Sequence, residues 1–278
     1  MTNEAIPTGQ DLAKLCRQTI DIVAATGAFI RSELGRVDHN QIEEKGLNSL
    51  VSYVDKTAEI RLVEDLGKLL PGSAFLTEEE TVAAGSAEWR WIIDPLDGTT
   101  NFLHQLPCFA ISVALEYQGE TVLGVIQEVN RQEMFSAWKS GGAWCNGKVI
   151  QVSQTATLGQ SLLATGFPYS RYEWLSNQLQ ALDYLLRHTR GVRRWGAAAV
   201  DLAYVACGRY DAFFEYALNP WDIAAGMLII QEAGGRVTDF RGNADTHDGL
   251  EVLATNGQVH AAMLEVLQRP FFSGTLSV

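Results

Sequence analysis

Residues 91–102 read WIIDPLDGTTNF, an apolar strand that runs directly into two carboxylates, Asp94 and Asp97. Pro95 fixes its own φ at about −65° and has no N–H, so the chain must turn as it leaves the strand. Such a turn can place Asp94, the carbonyl of Leu96 and the carboxylate of Asp97 on one side. Hard oxygen ligands that converge in this way suit Mg²⁺ better than zinc, which prefers His and Cys.

The residues after the second carboxylate predict an anion site. Gly98 and Thr99 offer free backbone N–H groups and a hydroxyl, as the start of a helix does when it binds a phosphate. The alternative is that Asp-Pro-x-Asp-Gly is only a turn, because Asp, Pro and Gly are all turn formers. This segment alone leaves both interpretations open.

Two further segments place single carboxylates where ligands could stand. Residues 75–80, FLTEEE, run from an apolar pair into three acids, and Glu78 is placed like a ligand at a strand end. Residues 219–226, NPWDIAAG, put Asp222 at the start of an apolar helix. Taken alone, the first segment is typical of a solvated helix start and the second of a helix N-cap.

Taken together and in order, the Glu-Glu pair, the Ile-Asp-Pro-Leu-Asp-Gly-Thr-Thr-Asn-Phe segment and Trp-Asp-x-Ala-Ala-Gly resemble the inositol monophosphatase family. The resemblance extends from Lys45 to Gly234-Gly235, and three separated motifs agree in order and spacing. It implies a Mg²⁺-dependent, lithium-sensitive phosphatase that forms homodimers. The fold that it implies is a layered α/β sandwich with the order α-β-α-β-α.

The resemblance also implies which residues hold the metals. Glu78, Asp94 and the carbonyl of Leu96 would hold one Mg²⁺, and Asp94, Asp97 and Asp222 would hold a second. A third ion is left open. These five residues form the metal site that the family pattern assigns to the chain.

Catalytic and phosphate-binding roles follow from the same resemblance. Thr99 would help to deprotonate a metal-bound water, oriented by a neighbouring carboxylate such as Glu78 or Asp97. Gly98 and Thr99 would contact the substrate phosphate through backbone N–H groups. Glu79 matches the second acid of the family's Glu-Glu pair and would have a supporting role.

The remaining matches concern the rest of the substrate. Ala197 and Ala198 match the segment whose backbone touches the substrate, and Asp222 would contact the substrate as well as a metal. Glu215 matches the acid that hydrogen-bonds the substrate's hydroxyls. Together they predict that the carboxy-terminal half completes the site.

The early loop departs from the family pattern. The family commonly has Lys followed shortly by Asp-Leu-Val-Thr, whereas here Lys45, a supporting residue, is followed by Ser49 where that Asp would stand. Asp55, which closes the segment, is retained. The two-metal core is untouched by this change, but the third metal loses a carboxylate.

The bulk composition limits the classes of function. The 278 residues are 47% hydrophobic and 19% charged, enough for a substantial core. A net charge of −12 argues against a nucleic-acid surface, although carboxylates that bind cations can invert the local charge. The apolar stretches are too short for a membrane span. Four cysteines without a CxxC pair predict free thiols and a cytoplasmic location.

Periodicity predicts mixed strands and helices in both halves. The predicted strands are 89–93, 110–117, 121–128, 134–138, 162–165, 212–215 and 252–255. The predicted helices are 12–34, 57–70, 175–190, 197–207 and 223–233. Residues 43–46 are interpreted as an exposed loop. We predict one catalytic unit over 1–278, with an amino-terminal α+β subdomain, 1–150, that carries the metal motifs and a carboxy-terminal α/β subdomain, 151–278.

The substrate is the least constrained prediction. Residues 100–102, Thr-Asn-Phe, resemble the inositol monophosphatase branch and not the nucleotide phosphatases, so myo-inositol 1-phosphate comes first. Residues 208–211, Gly-Arg-Tyr-Asp, resemble bacterial members that can be broad in substrate, so fructose-1,6-bisphosphatase, histidinol-phosphatase and broad sugar phosphatase activities stay open. A non-enzymatic alternative is a regulatory module associated with protein or RNA.

Overall fold

Helices and sheets alternate in five layers, and the predicted α-β-α-β-α sandwich is confirmed. The computed structural model describes residues 9–38, 40, 42–46, 49–244 and 250–273. The helices are α1 (Gly9–Glu33), α2 (Tyr53–Leu69), α3 (Thr99–Leu103), α4 (Leu175–His188), α5 (Ala198–Ala206), α6 (Pro220–Glu232) and α7 (His260–Gln268). The strands are β1 (Ile42–Gly46), β2 (Ser49–Ser52), β3 (Ala74–Thr77), β4 (Trp89–Asp97), β5 (Ala110–Tyr117), β6 (Glu120–Glu128), β7 (Glu133–Trp138), β8 (Ala143–Cys145), β9 (Lys148–Ile150), β10 (Leu162–Thr165), β11 (Gly191–Arg193), β12 (Ala212–Tyr216), β13 (Arg236–Thr238) and β14 (Glu251–Thr255).

The first large sheet contains β3 to β9 in sequence order. Only the β3–β4 pair is parallel, and the other neighbours are antiparallel. Short turns join β5 to β6 and β6 to β7, whereas α3 and a loop lie between β4 and β5. The strand β5, between β4 and β6, is buried along its whole length. The parallel pair matters for the site, because the carboxyl ends of β3 and β4 lie side by side.

The second large sheet has the order β11-β10-β12-β14-β13. The strand β10 is parallel to both β11 and β12, whereas β14 is antiparallel to its two neighbours. The carboxyl ends of β10 and β12 therefore point the same way. Glu215 lies near the end of β12, in register with Val252.

Helices cover both faces of each sheet. The pair α1 and α2 packs on the outer face of the seven-stranded sheet, and α4 and α7 cover the outer face of the five-stranded sheet. Between the sheets lie α5 and α6, whose apolar residues share one core with strands from both. The middle layer is therefore buried on two sides, and its helices are apolar almost throughout.

The contact between the middle layer and the first sheet depends on Gly124 of β6. A Cβ at this position would lie 2.8 Å from the carbonyl oxygen of Ala225 and 3.0 Å from its Cα, both on α6. Because backbone atoms cannot rotate away, we expect Gly124→Ala to lower the free energy of unfolding by about 1–3 kcal/mol, measured by urea denaturation. The matched control is Gly67→Ala on α2, where the nearest atom would be 3.7 Å away. That change should be neutral or stabilise by about 0.5–1 kcal/mol. Equal effects of the two changes would contradict this account.

Two sequence predictions of local structure were wrong. Residues 43–46 are not a loop, because they form β1, which pairs antiparallel with β2 in a separate two-stranded sheet. The second helix begins at Tyr53 and not at residue 57. Its start is fixed by Ser52, whose side chain accepts from Val54 N–H while its own N–H donates to Asp55.

The other predicted strands and helices are present with boundaries shifted by a few residues. The largest shift is in β4, which continues from the predicted end at residue 93 to Asp97. Within the described ranges, no helix combines the length and the apolar character that a membrane span requires.

Candidate active site

The motif strand β4 carries its carboxylates through an irregular pairing. Asp94 is paired with Ser112 on β5, but the register then shifts before Asp97. The Leu96 N–H turns back and donates to Asp94 Oδ1 at 2.9 Å. The local bulge therefore breaks the alternation of the strand, which is what lets neighbouring oxygens gather on one side.

Gly98 follows the strand and begins the short helix α3. Its φ is 87°, in the left-handed region that favours glycine. A Cβ there would also lie 3.0 Å from the Cys108 carbonyl oxygen and 3.2 Å from that of Gly196. The glycine of the motif is thus required both by conformation and by space.

Most of the predicted site residues line one cavity of about 300 Å³. They come from different parts of the chain and are Glu78, Asp94, Leu96, Asp97, Gly98, Thr99, Ala197, Ala198, Glu215 and Asp222. Glu79 does not line this cavity, and its N–H donates to Glu59 on α2. Lys45 lies on β1, but its side chain is outside the described residues.

The site is held together across long stretches of sequence. Glu78 follows β3, and its N–H donates to the Ile93 carbonyl on β4, which fixes it beside the motif strand. Asp97 Oδ2 accepts from the N–H of Ala199 on α5 at 2.7 Å. Asp222 lies in the first turn of α6 and accepts from the Asn219 N–H at 2.7 Å. The N-cap is therefore Asn219 and not Asp222, which is the third helical residue of a capping box and lines the cavity as well.

Burial and mutual repulsion make the carboxylates hard to ionise together. Burial raises the pKa of Asp94 well above its ordinary value, and the charges of Glu78, Asp97 and Asp222 raise it further. Burial also raises the pKa of Asp97 to about 7, although the Ala199 N–H acts against it. The pKa of Asp222 is about 7, because of burial and the charge of Asp97. Closely spaced acids of this kind favour a bound cation or proton.

The donor set fits Mg²⁺ in chemical type. The cavity is lined by carboxylates and carbonyls, and no His or Cys is among its lining residues. Among the described residues, however, no group of three or more acidic, histidine or cysteine side chains is spaced tightly enough to hold a metal ion as it stands. The chemistry of the ligands thus agrees with the prediction, and their spacing would have to contract around an ion.

The partner of Thr99 differs from the predicted one. Its hydroxyl lies 3.0 Å from Asp55 Oδ1 and 3.0 Å from the Leu96 carbonyl oxygen. The expected partners, Glu78 and Asp97, are thus replaced by Asp55. Asp55 is buried and accepts from the Ser52 N–H and hydroxyl at 2.9 and 2.7 Å. Burial raises the pKa of Asp55, while these hydrogen bonds lower it.

Sequence reasoning missed two residues that position the motif. Asn101 Nδ2 donates to the carbonyls of Cys108 and Trp195, both at 2.8 Å, and so joins the motif to the segment before α5. Glu59 is fully buried on α2 and accepts from the N–H groups of Glu79 and Thr81. The spacing of Glu59 four residues after Asp55 could have indicated a shared helix face.

The cavity is also lined by residues that were not predicted, among them Asp201, Arg194 and Tyr169. Asp201 lies on α5 and is 2% exposed, and burial raises its pKa well above its ordinary value. Arg194 is exposed, and its charge acts on the carboxylates of Asp97, Asp201 and Glu215. Tyr169 hydrogen-bonds Arg194 and stands on the loop after β10. They add an acid, a guanidinium and a phenol to the carboxylates of the predicted set.

Glu215 is held against Gly166. Burial and, after it, the charge of Asp222 raise the pKa of Glu215 to about 8. A Cβ at Gly166 would lie 2.1 and 2.2 Å from the two carboxylate oxygens of Glu215. The absence of a side chain at Gly166 thus gives this carboxylate its position.

We expect Gly166→Ala to displace the Glu215 carboxylate and to raise KM for a hydroxyl-bearing phosphate ester about tenfold, the scale of one lost hydrogen bond to a charged group. The matched control is Gly159→Ala, whose Cβ would meet nothing closer than the His188 carbonyl oxygen at 3.9 Å. Steady-state kinetics measures both variants. A KM that is unchanged in Gly166→Ala would show that Glu215 does not touch the substrate.

Similarity to known proteins agrees with this geometry. A model of the inositol monophosphatase family matches residues 11–269. An inositol-1-monophosphatase of Mesorhizobium japonicum is 41% identical over 245 residues, covering 88% of this chain and 92% of that protein. A Nus factor SuhB of Pseudomonas aeruginosa is 42% identical over 249 residues, with 88% and 92% covered.

Among solved structures, the extragenic suppressor protein suhB of Bartonella henselae superposes with a TM-score of 0.87. It is 37% identical, and the match covers 92% of this chain and 98% of that one. The chain therefore belongs to the inositol monophosphatase family of phosphoric monoester hydrolases.

Proposed function

We propose that the chain hydrolyses a small phosphate monoester with the help of Mg²⁺, and that myo-inositol 1-phosphate is its first substrate. One observation carries the proposal: four carboxylates from three separate segments, Glu78, Asp94, Asp97 and Asp222, line a single cavity. Buried like charges cost free energy unless a cation or a proton offsets them. A cavity of about 300 Å³ is at the lower end for small-molecule sites.

In this proposal Glu78, Asp94 and the Leu96 carbonyl hold one ion, and Asp94, Asp97 and Asp222 hold another. When bound, the ions would neutralise the phosphate dianion and lower the pKa of an attacking water. Ser49 stands at the position of the family's further carboxylate, so a third ion would lack that ligand.

The chain's own residues then bind and orient the reactants. Gly98 and Thr99 present backbone N–H groups to the phosphate at the start of α3. The Thr99 hydroxyl passes its proton towards Asp55 Oδ1, 3.0 Å away, and so can accept a proton from water. Burial raises the pKa of Asp55, which makes its carboxylate a better acceptor. Glu215 and the backbone of Ala198 bind and orient the alcohol part of the phosphate ester.

A phosphate-release panel tests the proposal. The panel contains myo-inositol 1-phosphate, fructose-1,6-bisphosphate, histidinol phosphate, other sugar phosphates and a nucleotide 3′-phosphate, each with Mg²⁺ and with EDTA. We expect Mg²⁺-dependent release and the highest kcat/KM for the inositol ester. A preference for another sugar phosphate would move the substrate to one of the alternatives. A preference for the nucleotide would overturn the inositol assignment.

The second candidate is a regulatory function, and the names of the relatives favour it. Proteins named Nus factor SuhB are as similar to this chain as those named inositol-1-monophosphatase, at 42% and 41% identity. Complementation of a cell that lacks the chain separates the two. If Asp94→Asn restores growth as well as the wild type does, the regulatory function does not need the carboxylate. The homodimer and lithium inhibition remain predictions of the resemblance, and the cytoplasmic location remains a prediction from the cysteines.

A further inference from the structure

Asp201 is a buried carboxylate to which the mechanism above gives no role. It lies in the first turn of α5, three residues after Ala198, and therefore on the same face of the helix. Both residues line the cavity. Only 2% of Asp201 is exposed, and among the described residues none offers a hydrogen bond to its Oδ1.

An unpartnered oxygen of this kind is unusual in a protein. Buried polar atoms nearly always have a hydrogen-bond partner, because an unmatched one loses the free energy of its hydration. The backbone of α5 already places its N–H groups elsewhere, since Ala199 donates to Asp97 and Asp201 donates its own to Ala197. These two N–H groups are therefore not donors to Asp201, and a ligand in the cavity that Asp201 lines can supply the missing one.

The charged groups around Asp201 indicate which kind of hydrogen-bond donor can bind to it. Its charged neighbours are the carboxylates of Glu215 and Asp97 and the guanidinium of Arg194. The carboxylates of Asp201 and Glu215, when ionised, disfavour a second phosphate or carboxylate group beside them. They accept from neutral O–H donors in short, strong hydrogen bonds.

We propose that Asp201 is a second hydroxyl-recognition residue beside Glu215, and that the pair selects phosphate monoesters of polyols with neighbouring free hydroxyls. The proposal rests on the phosphatase function and adds a specificity residue to it. A site whose buried polar groups hydrogen-bond a substrate hydroxyl discriminates against an analogue that lacks this hydroxyl. The ratio of the two kcat/KM values reaches about 10⁴–10⁵ in the strongest cases. Asp201 acts on substrate binding, so its effect falls on substrates that carry the hydroxyls.

The test compares two substrates on the same enzyme preparation. One is myo-inositol 1-phosphate, and the other is p-nitrophenyl phosphate, which has no hydroxyl beside its ester. The variants are Asp201→Leu, which removes both acceptors and keeps the branching at Cγ, and Asp201→Asn, which keeps one acceptor. The matched control is Glu251→Gln, a carboxylate that is 4% exposed, pairs with Arg241 and does not line the cavity.

We expect Asp201→Leu to lower kcat/KM for the inositol ester about 10- to 100-fold, mainly through KM, and to change it less than about twofold for p-nitrophenyl phosphate. Asp201→Asn should lie between the wild type and the leucine variant, and Glu251→Gln should leave the ratio unchanged. The ratio of the two activities cancels any loss of folded protein. An equal fall in kcat/KM for both substrates would show that the role of Asp201 is structural. An unchanged kcat/KM for both would show that Asp201 does not contact the substrate. Either result overturns the inference. If the wild type releases phosphate from neither substrate, the proposed function itself fails.

Discussion

Asp94→Asn should lower kcat for phosphate release by a factor of about 10²–10³ or more, the scale on which one preorganised electrostatic group acts at an active site. Asp94 is the carboxylate that both proposed metal positions share. It is 1% exposed, and the charges of Glu78, Asp97 and Asp222 all act on it. The amide keeps the shape of the side chain and removes the negative charge that an ion needs.

The same variant should be more stable than the wild type when no metal is present. Asp94 must either carry a buried charge or bind a proton in the folded chain, and both cost free energy at neutral pH. The amide needs neither, so the thermal midpoint in EDTA should rise. This opposite movement of activity and stability separates a lost catalytic group from an unfolded protein.

The control for both measurements is Asp183→Asn, an exposed aspartate on α4 that pairs with Arg187. It should change neither kcat nor the thermal midpoint appreciably, because exposed ion pairs contribute little. Full activity of Asp94→Asn would show that Asp94 is not an essential metal ligand. It would contradict the proposed two-metal site.

The second large effect is on how Mg²⁺ stabilises the protein at different pH. Each ion must displace protons from carboxylates whose pKa is raised, about 7 for Asp97 and for Asp222. We expect a large rise in the thermal midpoint on adding Mg²⁺ at pH 8 and little or none at pH 5.5. An ion present at about 100 times its dissociation constant adds about 2.7 kcal/mol to stability.

The metal-free protein should show the opposite trend. The pKa of Asp97 and Asp222 is higher in the folded chain than the ordinary value of 3.8, so folding takes up protons. The stability that comes from their protonated forms is fully present below about pH 4 and is lost as the pH rises through about 7. The cluster therefore destabilises the metal-free fold at pH 8, where Mg²⁺ helps most.

Thermal melts at pH 5.5 and 8, with MgCl₂ or with EDTA and KCl at matched ionic strength, measure both trends. The matched salt separates specific binding from screening of the net charge of −12. A Mg²⁺ shift of equal size at the two pH values would contradict proton displacement at these carboxylates.

Local structure was predicted well where the residues that determine it are neighbours in the sequence. The apolar run before Asp94 and the permissive Gly98 are neighbours, so the strand and the helix start after it could be inferred without tertiary structure. The turn predicted at Pro95 was wrong, because β4 continues through an irregular pairing to Asp97. The five layers followed from the resemblance and from mixed periodicity. The helix before the motif was predicted to start late, although Ser52 and Asp55 already had the spacing of a capping box.

Prediction failed where a contact spans the chain. Thr99 donates to Asp55, which is 44 residues away, and nothing in the spacing favours it over the nearer Glu78 or Asp97. β1 has charged residues and no alternation, so only its pairing with β2 reveals a strand. Asp201 resembles any acid in the first turn of a helix until β12 brings Glu215 to the same cavity.

The middle layer has a consequence for any attempt to divide the chain. Helices α5 and α6 share one apolar core with strands of both sheets, and α6 carries Asp222 to the carboxylates of β4. A fragment that stopped after β9 would present the inner face of its sheet, including Ile92 and Ala114, to water. Such a fragment would also lack Asp222, so the four carboxylates come together only in a chain that contains both α6 and the first sheet.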